Sequence, residues 1–301
     1  MTTPGTGTSG SGWSAGRVVL LGASGFLGQA IAARLAADGA EVHGFSSKTL
    51  DLTDRTAFGA LDALAGSETT LIFASAVTPD KGRTVDALDA NLQMALNVGR
   101  YLEGHPFRKV VYVGSDAVYP MSDDVVTEAS PVDPADFYAL AKYAGERIMA
   151  NVCGSANIPL AIVRPTGVYG AGDTHNSYGP NRFISQIQQD GKVSLFGEGD
   201  DIRDHVYLDD VAAAVVGLAA ADATGVFNIA SGESRTFGSV VEQLQALSPV
   251  PFEVVNLPKS GGTSRRDFDV SRLRAALPDL ALTPFEEGLR RTVAARLGGA
   301  K

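Results

Sequence analysis

Short apolar runs recur along the first half of the chain and alternate with longer segments of helical character. The runs are rich in Val, Ile and Leu, and they lie at 17–22, 41–46, 70–75, 109–115 and 160–165. Such runs are typical of parallel strands buried on both faces of a sheet. Helix-like segments follow at 27–38, 84–103 and 138–153. The alternation predicts an α/β fold with a doubly wound parallel sheet of the Rossmann type.

The pattern changes after Pro165. A Gly-rich polar stretch covers 167–180, and it is followed by helix-like runs at 182–190 and 209–221 and by strand-like runs at 193–196 and 226–229. We therefore predict a Rossmann domain made of 17–168 and 207–230. A smaller C-terminal α/β domain, made of 169–206 and 231–301, would bind substrate. The Gly/Ser/Thr-rich residues 1–16 are expected to form a flexible tail.

Composition narrows the classes of partner and compartment. The chain of 301 residues has a formal net charge of −9, so it lacks the overall positive field that attracts nucleic acid or an anionic membrane. The longest apolar stretch, Val211–Ala221, is too short to span a bilayer. The chain has a single cysteine, Cys153, which fits a reducing compartment, and residues 1–16 do not resemble a signal peptide. We expect a cytoplasmic protein with no nucleic-acid or membrane partner and no metal site.

A glycine-rich loop directly follows the first predicted strand and opens the first helix. It reads Gly22-Ala-Ser-Gly25-Phe-Leu-Gly28. The glycines allow a tight turn and a close approach of the backbone to a pyrophosphate, which the free N–H groups and the helix dipole stabilise. Because the motif lies between a strand and a helix near the N-terminus, it predicts a dinucleotide-binding site.

The end of the second strand indicates which dinucleotide binds. NAD-binding proteins usually carry Asp or Glu there, which accepts hydrogen bonds from the ribose 2′-hydroxyl. This chain has Ser46, Ser47 and Lys48 instead. Two hydroxyls and an ammonium suit a 2′-phosphate better than a free hydroxyl. We therefore expect NADP(H), with NAD(H) as the alternative.

Tyr138 and Lys142 are four residues apart and share one face of a predicted helix. A nearby ammonium and an oxidised nicotinamide would both favour the phenolate and bring the pKa of Tyr138 down towards neutral pH. Tyr138 could then exchange a proton with a substrate hydroxyl while hydride moves to or from the same carbon. Ser115 ends the fourth predicted strand and would hydrogen-bond the same oxygen. The three residues form a candidate catalytic triad.

A series of motifs follows the same order along the chain. They are GASGFLG at 22–28, DLTD at 51–54, ANLQMALNV at 90–98, VYVGSDAVYP at 111–120, YALAK at 138–142, RPTGVYG at 164–170, IRDHVYLDDVAAA at 202–214 and FNIASGE at 227–233. In this combination the sequence resembles the extended short-chain dehydrogenase/reductases, a family of NAD(P)-dependent nucleotide-sugar epimerases, dehydratases and 4-keto-sugar reductases. The resemblance covers about 22–300 and implies a nucleotide-diphosphate sugar as substrate.

The resemblance also implies roles for single residues. Asp51 and Leu52 would border the adenine, Ala74 would line the dinucleotide cleft, and Asn91 would belong to a helix that supports the active site. Arg203 would clamp the substrate's diphosphate, since a guanidinium binds phosphate in a bidentate manner; the alternative is an ion pair with Asp204 or Asp209. The other expected cofactor contacts are Ser24, Phe26, Leu27, Ser75, Tyr138, Lys142 and Pro165. The other expected substrate contacts are Ser115, Asp116, Ala117, Tyr138, His175, Asn181, Arg182 and Arg266.

Departures from the family pattern indicate the subclass. Dehydratases of the family carry Asp-Glu after the catalytic Ser or Thr, whereas Ser115 is followed here by Asp116 and Ala117, so dehydration is not expected. The short link from Ser47 to Asp51 is more similar to NADPH-using 4-keto-sugar reductases than to UDP-galactose 4-epimerases. Gly167 stands where relatives carry Asn, which puts one substrate contact in doubt.

The segment 261–273 resembles that of GDP-fucose synthases, which combine epimerase and reductase activities. However, Ala117 and Asn181 align with the Cys and His that perform epimerisation in those enzymes, and His175 could replace the His only in part.

Three functions remain open from the sequence. The first is hydride transfer at C4 of a nucleotide-activated hexose, with a preference for the reduction of a 4-keto-6-deoxy sugar. The second is 4-epimerisation of such a hexose. The third is a non-catalytic dinucleotide-sensing subunit, which the presence of Ser115, Tyr138 and Lys142 disfavours. Relatives commonly dimerise through two helices per subunit, so we expect a homodimer formed by 84–103 and 138–153.

Overall fold

A six-stranded parallel sheet forms the centre of the computed structural model, which describes residues 16–122, 124–173 and 179–298. Its strands are β1 (Arg17–Leu21), β2 (Glu41–Phe45), β3 (Gly66–Phe73), β4 (Phe107–Val113), β5 (Leu160–Pro165) and β9 (Gly225–Ile229). The predicted α/β fold with a parallel Rossmann sheet is confirmed.

The strand order is β2-β1-β3-β4-β5-β9. The chain runs from β1 to one neighbour and then crosses to the other side of β1, so the order reverses between β1 and β3. Open α/β sheets bind ligands at such a switch point, beyond the carboxyl ends of the strands. The register places Leu21 beside both Phe45 and Phe73, and the residues that follow these three positions therefore meet at one edge.

Helices cover both faces of the sheet. The helices α1 (Phe26–Ala37) and α5 (Leu208–Ala220) pack on one face, and α2 (Val85–Gly104) and α3 (Phe137–Ser155) pack on the other. The edge strand β2 differs from the sequence expectation because two of its five residues, Glu41 and Gly44, are exposed. Cys153 of α3 is buried as a free thiol in the apolar cluster on this second face, and burial raises its pKa to about 12.

The C-terminal part contributes smaller sheets around a separate apolar core. The strand β8 (Ile202–Tyr207) pairs with β6 (Gly167–Tyr169), β10 (Ser234–Thr236) and β12 (Arg265–Arg266), while β7 (Lys192–Phe196) pairs with β11 (Glu253–Leu257). The helices α4 (Pro180–Asp190), α6 (Phe237–Leu247) and α8 (Phe285–Leu297) pack around them. The short α7 (Ser271–Ala276) instead packs on the Rossmann core through Leu273. The boundaries of the two domains remain a prediction. Within the described ranges, no helix combines the length and the apolar character needed to cross a membrane.

A buried ion pair joins α3 to β5 beneath the carboxyl edge of the sheet. Arg164 donates to both carboxylate oxygens of Glu146, with the shortest bond at 2.6 Å, and the two side chains are 5% and 2% exposed. Arg164 also donates to the Tyr119 hydroxyl at 2.7 Å. Because each charge is held only by its partners, removal of one would leave the other buried without compensation.

Glu146→Leu is expected to lower the free energy of unfolding by about 3–5 kcal/mol, because it leaves the buried Arg164 guanidinium unpaired. Asp38→Ala is the matched control, since it breaks the exposed Arg34–Asp38 pair and should cost less than about 1 kcal/mol. Urea unfolding followed by circular dichroism measures both values. Equal losses in the two variants would contradict the assigned role of the buried pair.

Candidate active site

Three adjoining cavities form one cleft along the carboxyl edge of the sheet. We call them the dinucleotide cavity (about 520 Å³), the catalytic cavity (about 530 Å³) and the cation-lined cavity (about 680 Å³). The dinucleotide and catalytic cavities share Phe26, Leu27 and Ala74 in their walls. The catalytic and cation-lined cavities share Asp116, Thr166 and Gly167.

The glycine-rich loop has the shape that a pyrophosphate requires. Gly22 has φ +91°, and a Cβ there would lie 2.8 Å from the Ser75 nitrogen. A Cβ on Gly28 would lie 2.0 Å from the Gly22 carbonyl oxygen, so the first turn of α1 packs directly on the loop. Gly25 caps α1 without a side-chain hydrogen bond, and the first turn of the helix lines the dinucleotide cavity, so the positive end of the helix dipole faces a bound anion. These residues fit a dinucleotide.

Most of the predicted cofactor residues line the dinucleotide cavity. They are Gly22, Ser24, Gly25, Phe26, Leu27, Gly28, Ser47, Asp51, Leu52, Ala74 and Ser75, while Pro165, Tyr138 and Lys142 line the catalytic cavity. Three predicted contacts lie outside these linings. The Ser46 N–H donates to the Thr49 hydroxyl within its own turn. Lys48 is exposed beside the cavity. Asn91 bonds both the N–H and the carbonyl of Val77 and thereby fixes the segment after β3, and its predicted contact with the cofactor stays a prediction.

The segment after β3 supplies cavity residues that sequence reasoning missed. Val77 and Lys81 line the dinucleotide cavity, Arg83 lines the catalytic cavity, and Thr78 lines both. The Thr78 hydroxyl oxygen is buried and bonds no described residue, so it can hydrogen-bond a ligand in the cleft. The available signal was positional, because this segment follows the strand next to the switch point.

The structure brings Ser115, Tyr138 and Lys142 together in the catalytic cavity. Ser115 follows β4 and lies close enough to Tyr138 to exert a lowering effect on the pKa of its phenol. The Ser115 hydroxyl oxygen accepts from the Ala117 N–H at 3.1 Å. The Lys142 ammonium donates to the Val113 carbonyl at 2.7 Å and lies 5.9 Å from the centre of the Tyr138 ring. The arrangement can exchange a proton with a hydroxyl that binds beside Ser115 and Tyr138.

The protein alone does not lower the pKa of Tyr138, contrary to the sequence expectation. Burial raises it above the usual range; Ser115 opposes this, and the carboxylate of Asp116 adds to it. Burial also lowers the pKa of Lys142 to about 8, against the attraction of Glu146. The expectation considered charge without burial, and here desolvation dominates for both groups.

The cation-lined cavity contains three basic side chains, and two of them are paired with carboxylates. Lys259 bonds Asp200 at 2.7 Å and Asp201 at 3.0 Å. Arg266 pairs with Asp116 at 3.3 Å and donates to two backbone carbonyls. These two cations are therefore largely neutralised within the protein.

Arg203 is held differently. It donates to the Ser264 hydroxyl at 2.8 Å and to the backbone carbonyls of Ile202 and Ser264. Among the residues that the structure describes, no ion pair joins it to Asp204 or Asp209, because Asp204 accepts instead from the backbone N–H groups after β9. Arg203 is thus held by neutral groups, with Asp201 and Asp116 close enough to attract it, and it faces a cavity wide enough for a diphosphate.

The remaining predicted substrate residues are divided. Asp116, Ala117 and Arg182 line the catalytic cavity. Asn181 does not line the cleft, because it is 3% exposed and its amide bonds the Gly170 N–H and the Asp173 carboxylate. These bonds already use both ends of the amide, and its assignment as a substrate contact stays a prediction. His175 lies outside the described residues.

Gly167 lies at the position where relatives carry Asn. This residue pairs with His205 across β6 and β8, and a Cβ on it would lie 2.8 Å from the Asp204 carbonyl oxygen. A larger residue at this position would therefore require the backbone to shift. The same wall of the cleft includes Thr166, whose hydroxyl donates to Asp116 and which the sequence reasoning did not single out.

Comparison with known families agrees with this geometry. A family model described as the NAD dependent epimerase/dehydratase family matches residues 18–230, and the chain belongs to that family. It is accordingly an enzyme of the extended short-chain dehydrogenase/reductase type. A curated relative, the UDP-glucose 4-epimerase of Mycolicibacterium smegmatis, is 29% identical over 92% of this chain and 97% of its own length. An undecaprenol-linked N-acetylglucosaminyl 4-epimerase of Escherichia coli O157:H7 is 29% identical over 64% of this chain and 60% of its own.

Solved structures share the fold at low identity. The UDP-glucose 4-epimerase of Thermus thermophilus, in complex with NAD, superposes with a TM-score of 0.80 at 24% identity and covers 95% of this chain and 100% of its own. A Pseudomonas aeruginosa protein named RMD, complexed with NADPH, reaches a TM-score of 0.81 at 21% identity over 94% and 99%. The resemblance extends over nearly the whole chain.

The depressed pKa of Lys142 has a consequence for stability. The unfolded chain keeps this proton up to about pH 10.5, whereas the folded protein releases it near pH 8. Between these values the unfolded state binds more protons, so the stability contribution of Lys142 rises with pH. We expect wild type to gain unfolding free energy relative to Lys142→Met as pH rises from 8 to 10. Urea titrations at each pH measure the difference, and Lys192→Met is the control for losing an exposed positive charge. A constant difference would contradict the assignment.

Proposed function

We propose that the protein catalyses reversible hydride transfer at C4 of a nucleotide-diphosphate hexose, and that its reaction is 4-epimerisation. The observation that carries the proposal is the continuous cleft. It leads from a glycine loop that fits a dinucleotide, past Ser115 and Tyr138, to Arg203, which forms no direct ion pair with a carboxylate in the described part of the chain. A nucleotide sugar carries its diphosphate between the nucleoside and the hexose. A hexose bound in the catalytic cavity would therefore direct the attached diphosphate into the adjoining cation-lined cavity.

The side chains have distinct roles in this chemistry. Tyr138 takes the proton of the C4 hydroxyl during oxidation and returns it during reduction. Ser115 hydrogen-bonds the same oxygen in both the alcohol and the ketone. Lys142, fixed by Val113, keeps a positive charge close to the phenol and stabilises the phenolate. A bound nicotinamide would supply the hydride acceptor, and its positive charge in the oxidised form would offset the burial that raises the pKa of Tyr138.

Epimerisation is favoured over the ketoreduction that the sequence suggested. A curated 4-epimerase matches nearly the full length of the chain, and a second curated 4-epimerase matches part of it. The observation that favours a 4-keto-sugar reductase is the cofactor end of the cleft, because residues 45–48 contain no carboxylate. We keep this reaction as the second candidate.

The same feature supports a preference for NADP(H) over NAD(H). Ser47 lines the dinucleotide cavity, and the exposed Lys48 follows it at the end of β2. A 2′-phosphate would gain a cation there and meet no negative charge from this strand end. Asp51 also lines the cavity, but its Oδ1 already accepts from the N–H and hydroxyl of Thr53.

We also propose a homodimer located in the cytoplasm. The helices α2 and α3 pack side by side on one face of the sheet, and Leu140 of α3 is 42% exposed. Such a layer can pack against its copy as a four-helix bundle. The buried, unpaired Cys153 suits a reducing compartment. Light scattering after size-exclusion chromatography measures the association.

The reaction can be tested with purified protein. We expect UDP-glucose and UDP-galactose to interconvert without net consumption of cofactor, with NADP(H) and NAD(H) compared in parallel. A 4-keto-6-deoxy nucleotide sugar is offered with NADPH in a second assay. Stoichiometric oxidation of NADPH there, without interconversion in the first assay, would replace epimerase by reductase. Both assays are repeated with the corresponding dTDP and GDP sugars. If no UDP, dTDP or GDP sugar is converted in either assay, the proposed function is contradicted.

Tyr138→Phe is expected to lower kcat by about 10²–10⁴-fold, because the proton of the C4 hydroxyl then has no acceptor. Binding of the dinucleotide, measured by fluorescence titration, should remain. Tyr143→Phe on the same helix is the matched control and removes a phenol outside the catalytic cavity. Activity of Tyr138→Phe equal to that of the control would exclude Tyr138 as the proton-transfer residue.

Arg203→Leu is expected to raise KM for the nucleotide sugar by about tenfold or more, because charge-assisted hydrogen bonds to a phosphate are lost. The affinity for the dinucleotide should not change, since Arg203 lies in the cation-lined cavity. Arg265→Leu, at an exposed neighbouring position, is the control. An unchanged KM would contradict the assignment of the diphosphate to this cavity.

A further inference from the structure

Asp116 stands at the junction between the catalytic and cation-lined cavities, directly after Ser115. The transfer of hydride and proton assigned above uses Ser115, Tyr138 and Lys142, and it needs no carboxylate at this place. The Asp116 side chain is nevertheless 20% exposed and faces the cleft. A carboxylate at this position can contact a bound sugar and influence which sugars bind.

The two oxygens of this carboxylate are used unequally. Oδ2 accepts from the Thr166 hydroxyl at 3.2 Å and from Arg266 at 3.3 Å. Oδ1 bonds no residue that the structure describes. Burial raises the pKa of Asp116, whereas the Arg266 guanidinium and the Thr166 hydroxyl oppose this and stabilise the ionised form. An ionised carboxylate only accepts hydrogen bonds, so Oδ1 offers an acceptor to a hydroxyl group in the cleft.

The catalytic cavity has more acidic than basic side chains. Four aspartates line it, at 80, 116, 136 and 173, against the three cations Arg83, Lys142 and Arg182. Asp116 is also near enough to Tyr138 to raise the pKa of the phenol. A hexose whose C4 hydroxyl meets Tyr138 carries its C6 group on the adjacent carbon, C5. Arg266 pairs with Oδ2 of Asp116 from the cation-lined cavity, and this pair balances the count of charges. A carboxylate at C6 would therefore be repelled locally, at Oδ1 of Asp116, and not by the cavity as a whole.

We propose that Asp116 is a specificity-determining residue that selects neutral hexoses over hexuronates. Its Oδ1 accepts a hydrogen bond from a hydroxyl of the neutral sugar, whereas it repels the C6 carboxylate of a uronic acid sugar. Juxtaposed like charges discriminate against a wrong ligand even where the other contacts are the same. This inference rests on the proposed function, because it takes a nucleotide hexose as the substrate.

The test compares UDP-glucose with UDP-glucuronate in wild type and in Asp116→Asn, which removes the charge and keeps the shape. Dissociation constants for the cofactor-loaded protein come from calorimetry, and kcat/KM values come from the epimerase assay. We expect wild type to bind and convert UDP-glucose better than UDP-glucuronate. In Asp116→Asn the ratio of the two affinities, and of the two kcat/KM values, should fall by at least about tenfold, equivalent to about 1.4 kcal/mol. Thr166→Val is the matched control. It removes one bond to Asp116 but keeps the charge, so it should leave the ratio close to that of wild type.

The outcomes separate the two proposals. If wild type binds the sugars with the expected preference but converts neither, the proposed reaction fails and the inference on Asp116 stands. The inference is overturned if wild type binds UDP-glucuronate more tightly than UDP-glucose, or if Asp116→Asn weakens the binding of both sugars equally. This holds whether or not the protein converts either sugar. If no UDP-sugar binds, the same ratio is measured with glucose 1-phosphate and glucuronate 1-phosphate, which omit the nucleotide.

Discussion

The hydrogen bond from the Lys142 ammonium to the Val113 carbonyl is the interaction on which the geometry of the cleft depends. It ties α3 to the end of β4, and so holds Tyr138 on the helix beside Ser115 after the strand. The bond lies between a buried cation and the backbone carbonyl at the end of the strand. Below it, Glu146 and Arg164 join the same helix to β5, the next strand of the sheet. Three elements that are distant in sequence thereby act as one rigid support.

The fold could be predicted from the sequence because its signals are local. Apolar runs located the six strands of the main sheet to within a few residues, and the glycine motif located the switch point of the sheet. Ser115, Tyr138 and Lys142 could be placed together because a strand end and one turn of helix constrain their positions. The burial of β2 could not be predicted, since an edge strand and a central strand carry similar apolar residues.

The sequence could not show which polar side chains are free to contact a ligand, because this depends on which of their atoms already form hydrogen bonds within the protein. Asn181 and Asn91 are polar residues in family motifs, yet both bond neighbouring backbone groups and lie outside the cleft lining. Arg203, Lys259 and Arg266 look equivalent as cations, and only the structure shows that carboxylates neutralise two of them. The spacing of Tyr138 and Lys142 predicts a lowered pKa for the phenol, whereas burial raises it. The degree of burial cannot be read from the spacing of two residues.

The buried position of Cys153 has a practical consequence. The chain contains one cysteine, and packing in the apolar cluster keeps its thiol protonated and shielded from reagents. A second cysteine engineered on the surface would be the sole reactive sulfur at neutral pH. Maleimide dyes or spin labels could therefore be attached at a chosen site without first deleting the native residue.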